Sequence, residues 1–180
     1  DDDEILEVAK SLDAEIFKRT DPEESNDFTM PDVPVLSFLD RIESKKLPKF
    51  TFMVQCSAPF IKAESYKKAF DLLKHIKSGT VFAAHISHSF LWKPRNNTDK
   101  DYLPINHPFH ERLGRQYLKE EQLCETGAFY GFKTKEFVKA RHRFYTKAYP
   151  VKIYENEIHD INDKNDWNYA EYIIDNFITE

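Results

Sequence analysis

Three polar segments follow predicted strands along the chain. They are Gln55–Pro59, His85–Trp92 and Glu157–Asp166. Because open α/β sheets bind ligands beyond the carboxyl ends of their parallel strands, these segments occupy ligand-binding positions. In the first segment, Gln55 and Ser57 offer an amide and a hydroxyl suited to a polyhydroxylated ligand. A hydrogen-bonded turn that caps the next helix would use the same residues.

In the third segment, side chains with carboxylate oxygens alternate with side chains that carry amide oxygens. Asp160 and Asn162 are the first two of them. Mg²⁺ accepts oxygen ligands, normally one or two carboxylates together with substrate phosphates and water. The alternative is an N-capping loop, in which Asp163 or Asn165 closes the start of the last helix. The residues alone favour the capping loop.

Basic and aromatic residues alternate late in the chain. The basic ones are Lys133, Lys135, Lys139, Arg141, His142, Arg143 and Lys147. Such a cluster is compatible with phosphate or RNA binding. The solvated face of a helix is the interpretation that we prefer, and we expect no nucleic-acid partner.

Composition limits the remaining possibilities. The 180 residues carry a net charge of 26 − 31 = −5, and 41% of them are hydrophobic, as in an ordinary globular domain. Two cysteines are too few for a disulfide framework or a zinc site. No apolar run reaches the roughly 18 residues that span a bilayer, so no membrane partner is expected. Four glycines build no phosphate-binding loop of the Walker or dinucleotide type.

Alternating helices and strands predict an α/β fold with a largely parallel sheet. Hydrophobic periodicity places helices at about 2–12, 32–43, 63–77, 134–141 and 165–177, and strands at about 14–17, 50–55, 80–84, 127–132 and 151–154. The strand at 50–55 is nearly continuously apolar, which is typical of burial on both faces. We expect one domain spanning 1–180. Residues 88–125 are an irregular segment that leaves the core of this domain and forms a lid or an oligomerisation arm. Because the chain starts on a helix, we expect the domain to be incomplete at its N-terminus.

Seven motifs in order resemble the acylneuraminate cytidylyltransferases, and the animal-type members most closely. Each motif alone is weak, but their order and spacing cover almost the whole chain. They are Asp2-Asp3-Glu4-Ile5, Arg19 with the loop Pro22-Glu23, Ser25 and Asp27, Val54-Gln55-Cys56-Ser57-Ala58-Pro59, His88-Ser89-Phe90-Leu91-Trp92, Arg115-Gln116, Glu125-Thr126-Gly127-Ala128-Phe129-Tyr130, and Asp160-Ile161-Asn162 with Asp166-Trp167 and Ala170-Glu171.

The resemblance implies a nucleotidyltransferase-like three-layer sandwich with a mixed, mostly parallel sheet. Enzymes of this family join CTP to a nonulosonic (sialic-type) acid, releasing pyrophosphate, with Mg²⁺ as cofactor. By the same resemblance, Asp160 is the metal carboxylate and a catalytic residue, and Asn162 is the second metal position. Catalytic Arg115 would grip the sugar carboxylate.

Further binding roles also follow only from the resemblance. Gln55, Ser57, Gln116 and Tyr130 would surround the sugar acid, and Arg19 would lie near the nucleotide. The family works as a homodimer, and residues 88–125 correspond to the arm that reaches the partner's site. A cytoplasmic location is the default, and the animal-type relatives are commonly nuclear.

Two departures from the family pattern leave a second function open. Asn162 stands where the family has its second metal aspartate, and the family's first strand and CTP-phosphate loop are missing from this sequence. The leading hypothesis remains a Mg²⁺-dependent cytidylyltransferase. The alternative is a catalytically impaired relative that keeps sugar-acid binding and dimerisation as a regulatory subunit.

Overall fold

The computed structural model describes residues 2–24, 26, 28–96, 101–111, 113–117 and 121–177. Its helices are α1 (Asp3–Ser11), α2 (Asp32–Asp40), α3 (Ala63–His75), α4 (Thr134–Ala140) and α5 (Lys164–Phe177). Its strands are β1 (Phe50–Val54), β2 (Thr80–Ile86), β3 (Trp92–Pro94), β4 (Tyr102–Pro104), β5 (Leu123–Lys133) and β6 (Ala148–Lys152). Short 3-10 turns cover Pro22–Glu24, Arg115–Tyr117 and Glu155–Glu157.

The central sheet has the strand order β1-β5-β2-β6. Strand β5 is antiparallel to both of its neighbours, and β2 is parallel to β6. Three of these four strands therefore run in one direction, and their carboxyl ends share one edge of the sheet. The expected α/β fold with a mixed sheet is confirmed.

Two hydrophobic clusters cover the two faces of this sheet, which makes the three layers. Helix α3 packs Ala69 and Leu73 on one face, against Val81 and Phe129. Residues of α2 and α4 pack on the other face, where the ring of Phe137 stacks on Phe132 at 4.0 Å. The apolar residues of α3 recur at helical spacing, so a single side of the helix is buried.

A bulge interrupts β5 where it passes β2. Phe82 pairs with Tyr130, whereas Ala84 pairs with Glu125, so extra residues of β5 lie opposite Ala83. Gly127 makes the bend possible with a φ of +75°, which costs other residues more. The sequence pattern predicted only the regular half of this strand.

Residues 88–117 contain a second, two-stranded sheet outside the main core. Strands β3 and β4 pair antiparallel, with Trp92 opposite Pro104. The Asn106 side chain fastens the base of this arm, since it accepts a hydrogen bond from the Leu91 amide at 2.9 Å and donates one to the Ser89 carbonyl at 2.7 Å. Among the described residues, no helix is long and apolar enough to cross a membrane.

Two local predictions are wrong. Residues 14–17 do not form a strand. Phe17 instead packs edge-on against Phe38 of α2, with ring centroids 5.0 Å apart. A cavity lies between this segment and β1. Strand β1 is not buried on both faces either. It is an outermost strand of the sheet, with a neighbouring strand on one side only, and Met53 is its one buried residue.

Candidate functional site

The loop that follows β6 crosses to the turn that follows β1. The backbone N–H of Ile161 donates to the carbonyl of Ser57 at 2.8 Å. The turn is closed by the Ala58 N–H, which donates to the Gln55 carbonyl at 3.3 Å. The first and third polar segments therefore meet at the edge of the sheet where the parallel strands end.

Asp160 lies at this junction, and only one of its two carboxylate oxygens has a hydrogen-bond partner. Its Oδ2 accepts a hydrogen bond from the Asn162 side-chain amide at 3.1 Å. Its Oδ1 is buried and has no hydrogen-bond partner. Because burying an unpaired polar atom costs free energy, such an oxygen favours a bound donor or cation at this place.

The residues after Asn162 cap α5, as the capping-loop interpretation expects. Asp163 Oδ1 accepts hydrogen bonds from the backbone N–H groups of Asn165 at 2.7 Å and Asp166 at 3.0 Å. The Asp166 carboxylate accepts from the N–H groups of Asn162 and Asp163. These aspartates satisfy backbone donors at a helix start. Asp160 differs from them because its oxygen without a hydrogen-bond partner is buried.

Glu157 holds the loop against the N-terminus of α3. Its fully buried carboxylate accepts hydrogen bonds from the N–H groups of Lys62 at 2.7 Å and Tyr154 at 2.8 Å, and from the hydroxyl of Ser65 at 3.0 Å. A carboxylate is also stabilised by the positive end of the helix dipole. Glu157 therefore fixes the start of the segment that carries Asp160.

We expect Glu157→Gln to lower the free energy of unfolding by about 2 kcal/mol. Both oxygens of Glu157 accept hydrogen bonds, so the NH₂ group of Gln would face a buried donor in either orientation of the amide, and that hydrogen bond would be lost. Urea denaturation measures this loss. The matched control is Glu155→Gln in the same 3-10 turn, where the side chain is exposed. Equal stability of the two variants would contradict the role given to Glu157.

A cavity of about 340 Å³ brings Arg19 and Gln55 together. Gln55 lies beside Gly127, where a Cβ would approach Gln55 Oε1 to 2.8 Å. Arg19 Nη1 donates to the backbone carbonyl of Glu24 at 2.8 Å. Glu24 also lines the cavity, together with apolar residues such as Val35 and Met53. A basic residue, an amide and an acidic residue thus lie around one largely apolar cavity.

Tyr130 belongs to strand β5, and its side chain packs in the core on the face covered by α2 and α4. It is 3% exposed, its hydroxyl donates to Glu125, and its ring lies 4.7 Å from the Arg143 guanidinium carbon. Burial, reinforced by the Glu125 carboxylate, raises the pKa of Tyr130 to about 12. The phenol therefore stays protonated at neutral pH and acts as a hydrogen-bond donor to Glu125.

Arg115 and Gln116 lie in the arm, in the 3-10 turn Arg115–Tyr117, and both are exposed. The structure brings together Gln55, Ser57 and Asp160 through the strand-end turns, and it leaves these two arm residues on the surface of the chain. Ser25 and Asp27 of the substrate loop lie outside the described residues.

The basic cluster is not one solvated helix face. Arg143 lies after α4, and its Nε donates to Asp32 Oδ1 at 3.0 Å, with side chains 12% and 3% exposed. Arg141 pairs with exposed Asp40 at 2.6 Å, and Lys133 donates to the Lys77 carbonyl. The prediction is wrong for Arg143 because a buried carboxylate on α2, distant in sequence, requires a partner.

Sequence reasoning missed the burial of three acidic groups that shape this region. They are Glu24, Asp32 and Glu157. Each lies in a stretch that is typical of an exposed loop or helix cap, so composition alone does not indicate that the side chain is buried. The position of Glu157 just after a strand is the weak hint that was available.

A magnesium ion at Asp160 would need further ligands from substrate phosphates and water. Within the described ranges, no cluster of three or more histidine, cysteine or acidic residues is arranged to hold a metal by itself. Asp160 Oδ1, which has no hydrogen-bond partner, would be one carboxylate ligand of such an ion. One carboxylate with phosphate and water ligands is an ordinary environment for Mg²⁺.

The fold has a counterpart among solved structures. The crystal structure of 4-diphosphocytidyl-2C-methyl-D-erythritol synthase from Anaerococcus prevotii superposes with a TM-score of 0.63 at 16% sequence identity, covering 96% of this chain and 76% of that one. No family model and no curated protein matches the chain. The similarity confirms the expected nucleotidyltransferase-like fold.

Proposed function

We propose that this chain is a cytidylyltransferase that joins a nonulosonic acid to CTP. The observation that carries the proposal is the buried, unpartnered Asp160 Oδ1 beside the Ser57 turn, at the ligand-binding edge of the sheet. The similarity to a solved diphosphocytidyl-methylerythritol synthase supports a nucleotidyltransferase in general. The seven motifs support the sialic-type substrate.

In the proposed reaction, the anomeric hydroxyl of the sugar acid attacks the α-phosphorus of CTP. The hydroxyl passes its proton to solvent water as the new O–P bond forms, and the bond between the α-phosphorus and the bridging oxygen of the β-phosphate breaks, so pyrophosphate leaves. Mg²⁺ would neutralise the charge that develops on the phosphates. Gln55 would orient the sugar acid, and Arg19, which lines the same cavity, would lie near the nucleotide.

The arm supports a homodimer in this proposal. Arg115 and Gln116 are exposed in one chain, and a partner arm would carry them to the cavity of the other chain. A guanidinium binds a carboxylate through two parallel hydrogen bonds, which suits Arg115 to the acid group of the sugar.

The test is pyrophosphate release by the purified chain. With CTP, N-acetylneuraminate and Mg²⁺ all present, we expect steady release, and omission of the sugar acid should stop it. Release that does not depend on the sugar acid would mark a CTP hydrolase and contradict the proposal.

The second candidate is a catalytically impaired relative that binds the sugar acid without efficient turnover. The contact that favours it is the Asn162 amide nitrogen, which donates to Asp160 Oδ2 at 3.1 Å. An amide brings no negative charge to a metal, and here its nitrogen, not its oxygen, faces the carboxylate. Mg²⁺ affinity would accordingly be low.

Asn162→Asp is expected to tighten Mg²⁺ binding about tenfold, because a second carboxylate would stand beside Asp160. Without Mg²⁺ the two like charges repel, so the midpoint of thermal unfolding should fall and should recover when Mg²⁺ is added. A large gain in turnover would favour the impaired relative. The control is Asn165→Asp, and an unchanged Mg²⁺ dependence in Asn162→Asp would rule out a metal at this pair.

A further inference from the structure

A row of five lysines lies at the amino-terminal edge of the central sheet, where the parallel strands begin. Lys49 precedes β1, Lys133 ends β5, and Lys147 precedes β6. Lys77 lies just before β2, and Lys135 lies in the first turn of α4. This lysine row is at the opposite edge from the turns that carry the proposed site, so it takes no part in that site.

Backbone contacts hold the members of the lysine row beside one another. Lys133 Nζ donates to the Lys77 carbonyl at 2.6 Å, and the Lys147 carbonyl accepts a hydrogen bond from the Thr80 N–H at 2.9 Å. The row crosses all four strands of the sheet, from Lys49 at β1 to Lys147 at β6. Because neighbouring strands lie about 4.8 Å apart, its length is about 14 Å.

A cavity of about 380 Å³ lies beside three members of the row, Lys49, Lys133 and Lys135. Leu47 and Pro48 give this cavity an apolar wall. Lys49 and Lys135 are exposed, so a partner in solution can reach their ammonium groups. The cavity therefore combines positive charge with a small apolar surface.

The lysine row has little negative charge around it. Among the described residues, none of its five lysines forms an ion pair with a carboxylate. Glu136, the acidic residue that lines the cavity, accepts a hydrogen bond from the Ser78 hydroxyl at 2.7 Å, and nearby Glu43 pairs with Lys46. The row is thus a positive patch on a chain whose net charge is −5. Neighbouring like charges repel, and an anionic partner would relieve that repulsion.

We propose that the lysine row binds an acidic segment of a partner protein, extended along the edge of the sheet, with one aliphatic side chain in the cavity. An extended chain advances about 3.4 Å per residue, so about four or five residues cover the row. Carboxylates complement the ammonium groups, and the flexible lysine stems let each group reach its partner. The proposal goes beyond the proposed function and does not depend on it.

The same surface suits a nucleic acid less well. The described lining of the cavity contains no aromatic side chain on which a base could stack. Leu47 and Pro48 instead offer contact to an aliphatic group. An acidic polypeptide that carries an aliphatic residue uses both parts of the surface.

The test is binding of a peptide with blocked termini, in which two glutamates flank a leucine on each side, to the full chain at low salt. Isothermal titration calorimetry measures the affinity. We expect the double variant Lys135→Gln with Lys147→Gln to bind about 10-fold more weakly, because two of the ammonium groups are lost. Binding by the natural chain should vanish at about 1 M salt, where charges are screened beyond about 3 Å.

The matched control is the double variant Lys10→Gln with Lys67→Gln. It makes the same change in net charge at two exposed lysines, one in α1 and one in the first half of α3, and it should bind the peptide as the natural chain does. The midpoint of thermal unfolding checks that both double variants are folded. Pyrophosphate release should be the same in both, because neither pair lies in the proposed site.

Three results would overturn the proposal. They are no peptide binding by the natural chain at low salt, equal binding by the two double variants, and tighter binding of a single-stranded RNA than of the peptide. Serine in place of the peptide's leucine should weaken binding about fivefold, because the aliphatic contact is lost. An unchanged affinity for the serine peptide would refute the role given to the cavity.

Discussion

Asp160→Ala is expected to lower sugar-dependent pyrophosphate release at least about 1000-fold while the chain stays as stable as before or becomes slightly more stable. Stability is kept because Asp160 Oδ1 is buried without a hydrogen-bond partner. Removing it ends the free-energy cost of burying an unpaired oxygen and breaks no hydrogen bond of that atom. Residues that serve ligand binding are commonly suboptimal for stability. Pyrophosphate assays and urea denaturation of the same samples measure the two quantities.

The neighbouring Asp163 is the matched control. Asp163→Ala removes the carboxylate that accepts two N–H groups at the start of α5, so the free energy of unfolding should fall by about 1 kcal/mol. Turnover should largely remain. Retained turnover in Asp160→Ala, or the same pattern in both variants, would contradict the separation of a metal-ligating aspartate from a capping one.

Of the single substitutions proposed for this chain, Arg143→Ala is expected to destabilise it most, lowering the free energy of unfolding by about 3–5 kcal/mol. It leaves the Asp32 carboxylate, 3% exposed, without its ion-pair partner, while Asp32 Oδ2 already lacks a hydrogen bond. It also removes the guanidinium from the face of the Tyr130 ring, 4.7 Å away. Urea denaturation is the measurement.

Arg141→Ala tests the same chemistry at the surface. Arg141 pairs with Asp40 at 2.6 Å, but both side chains are about half exposed, so the loss should stay below about 1 kcal/mol. If Arg143→Ala does not fold, the double variant Asp32→Asn with Arg143→Met should restore folding, because no charge is then buried alone. Equal losses in the two arginine variants would refute the buried ion pair.

The sequence predicted those elements whose apolar residues recur with a clear period. Ala69 and Leu73 mark the buried side of α3, and the run at Phe50–Val54 marks β1, so both elements are present as expected. Residues 14–17 have similar composition but form no strand, because Phe17 finds its partner on α2. Local pattern cannot report which distant surface an aromatic side chain will reach.

The site was predictable only in part, for a similar reason. Strand order and direction place Ser57 and Asp160 at the same edge, which the α/β rule anticipates. Arg143 and Glu24 owe their importance to burial against α2, and each lies in a polar stretch that is usually exposed. Burial of a charged side chain depends on partners far away in the sequence, so composition gives no sign of it.

The most direct test of the central proposal is mass spectrometry of the product from CTP, N-acetylneuraminate and Mg²⁺ incubated with the full chain. We expect a compound in which CMP is linked to the sugar acid, together with an equal amount of pyrophosphate, and neither should form with Asp160→Ala. Unchanged CTP and free sugar acid, from a folded sample, would contradict it.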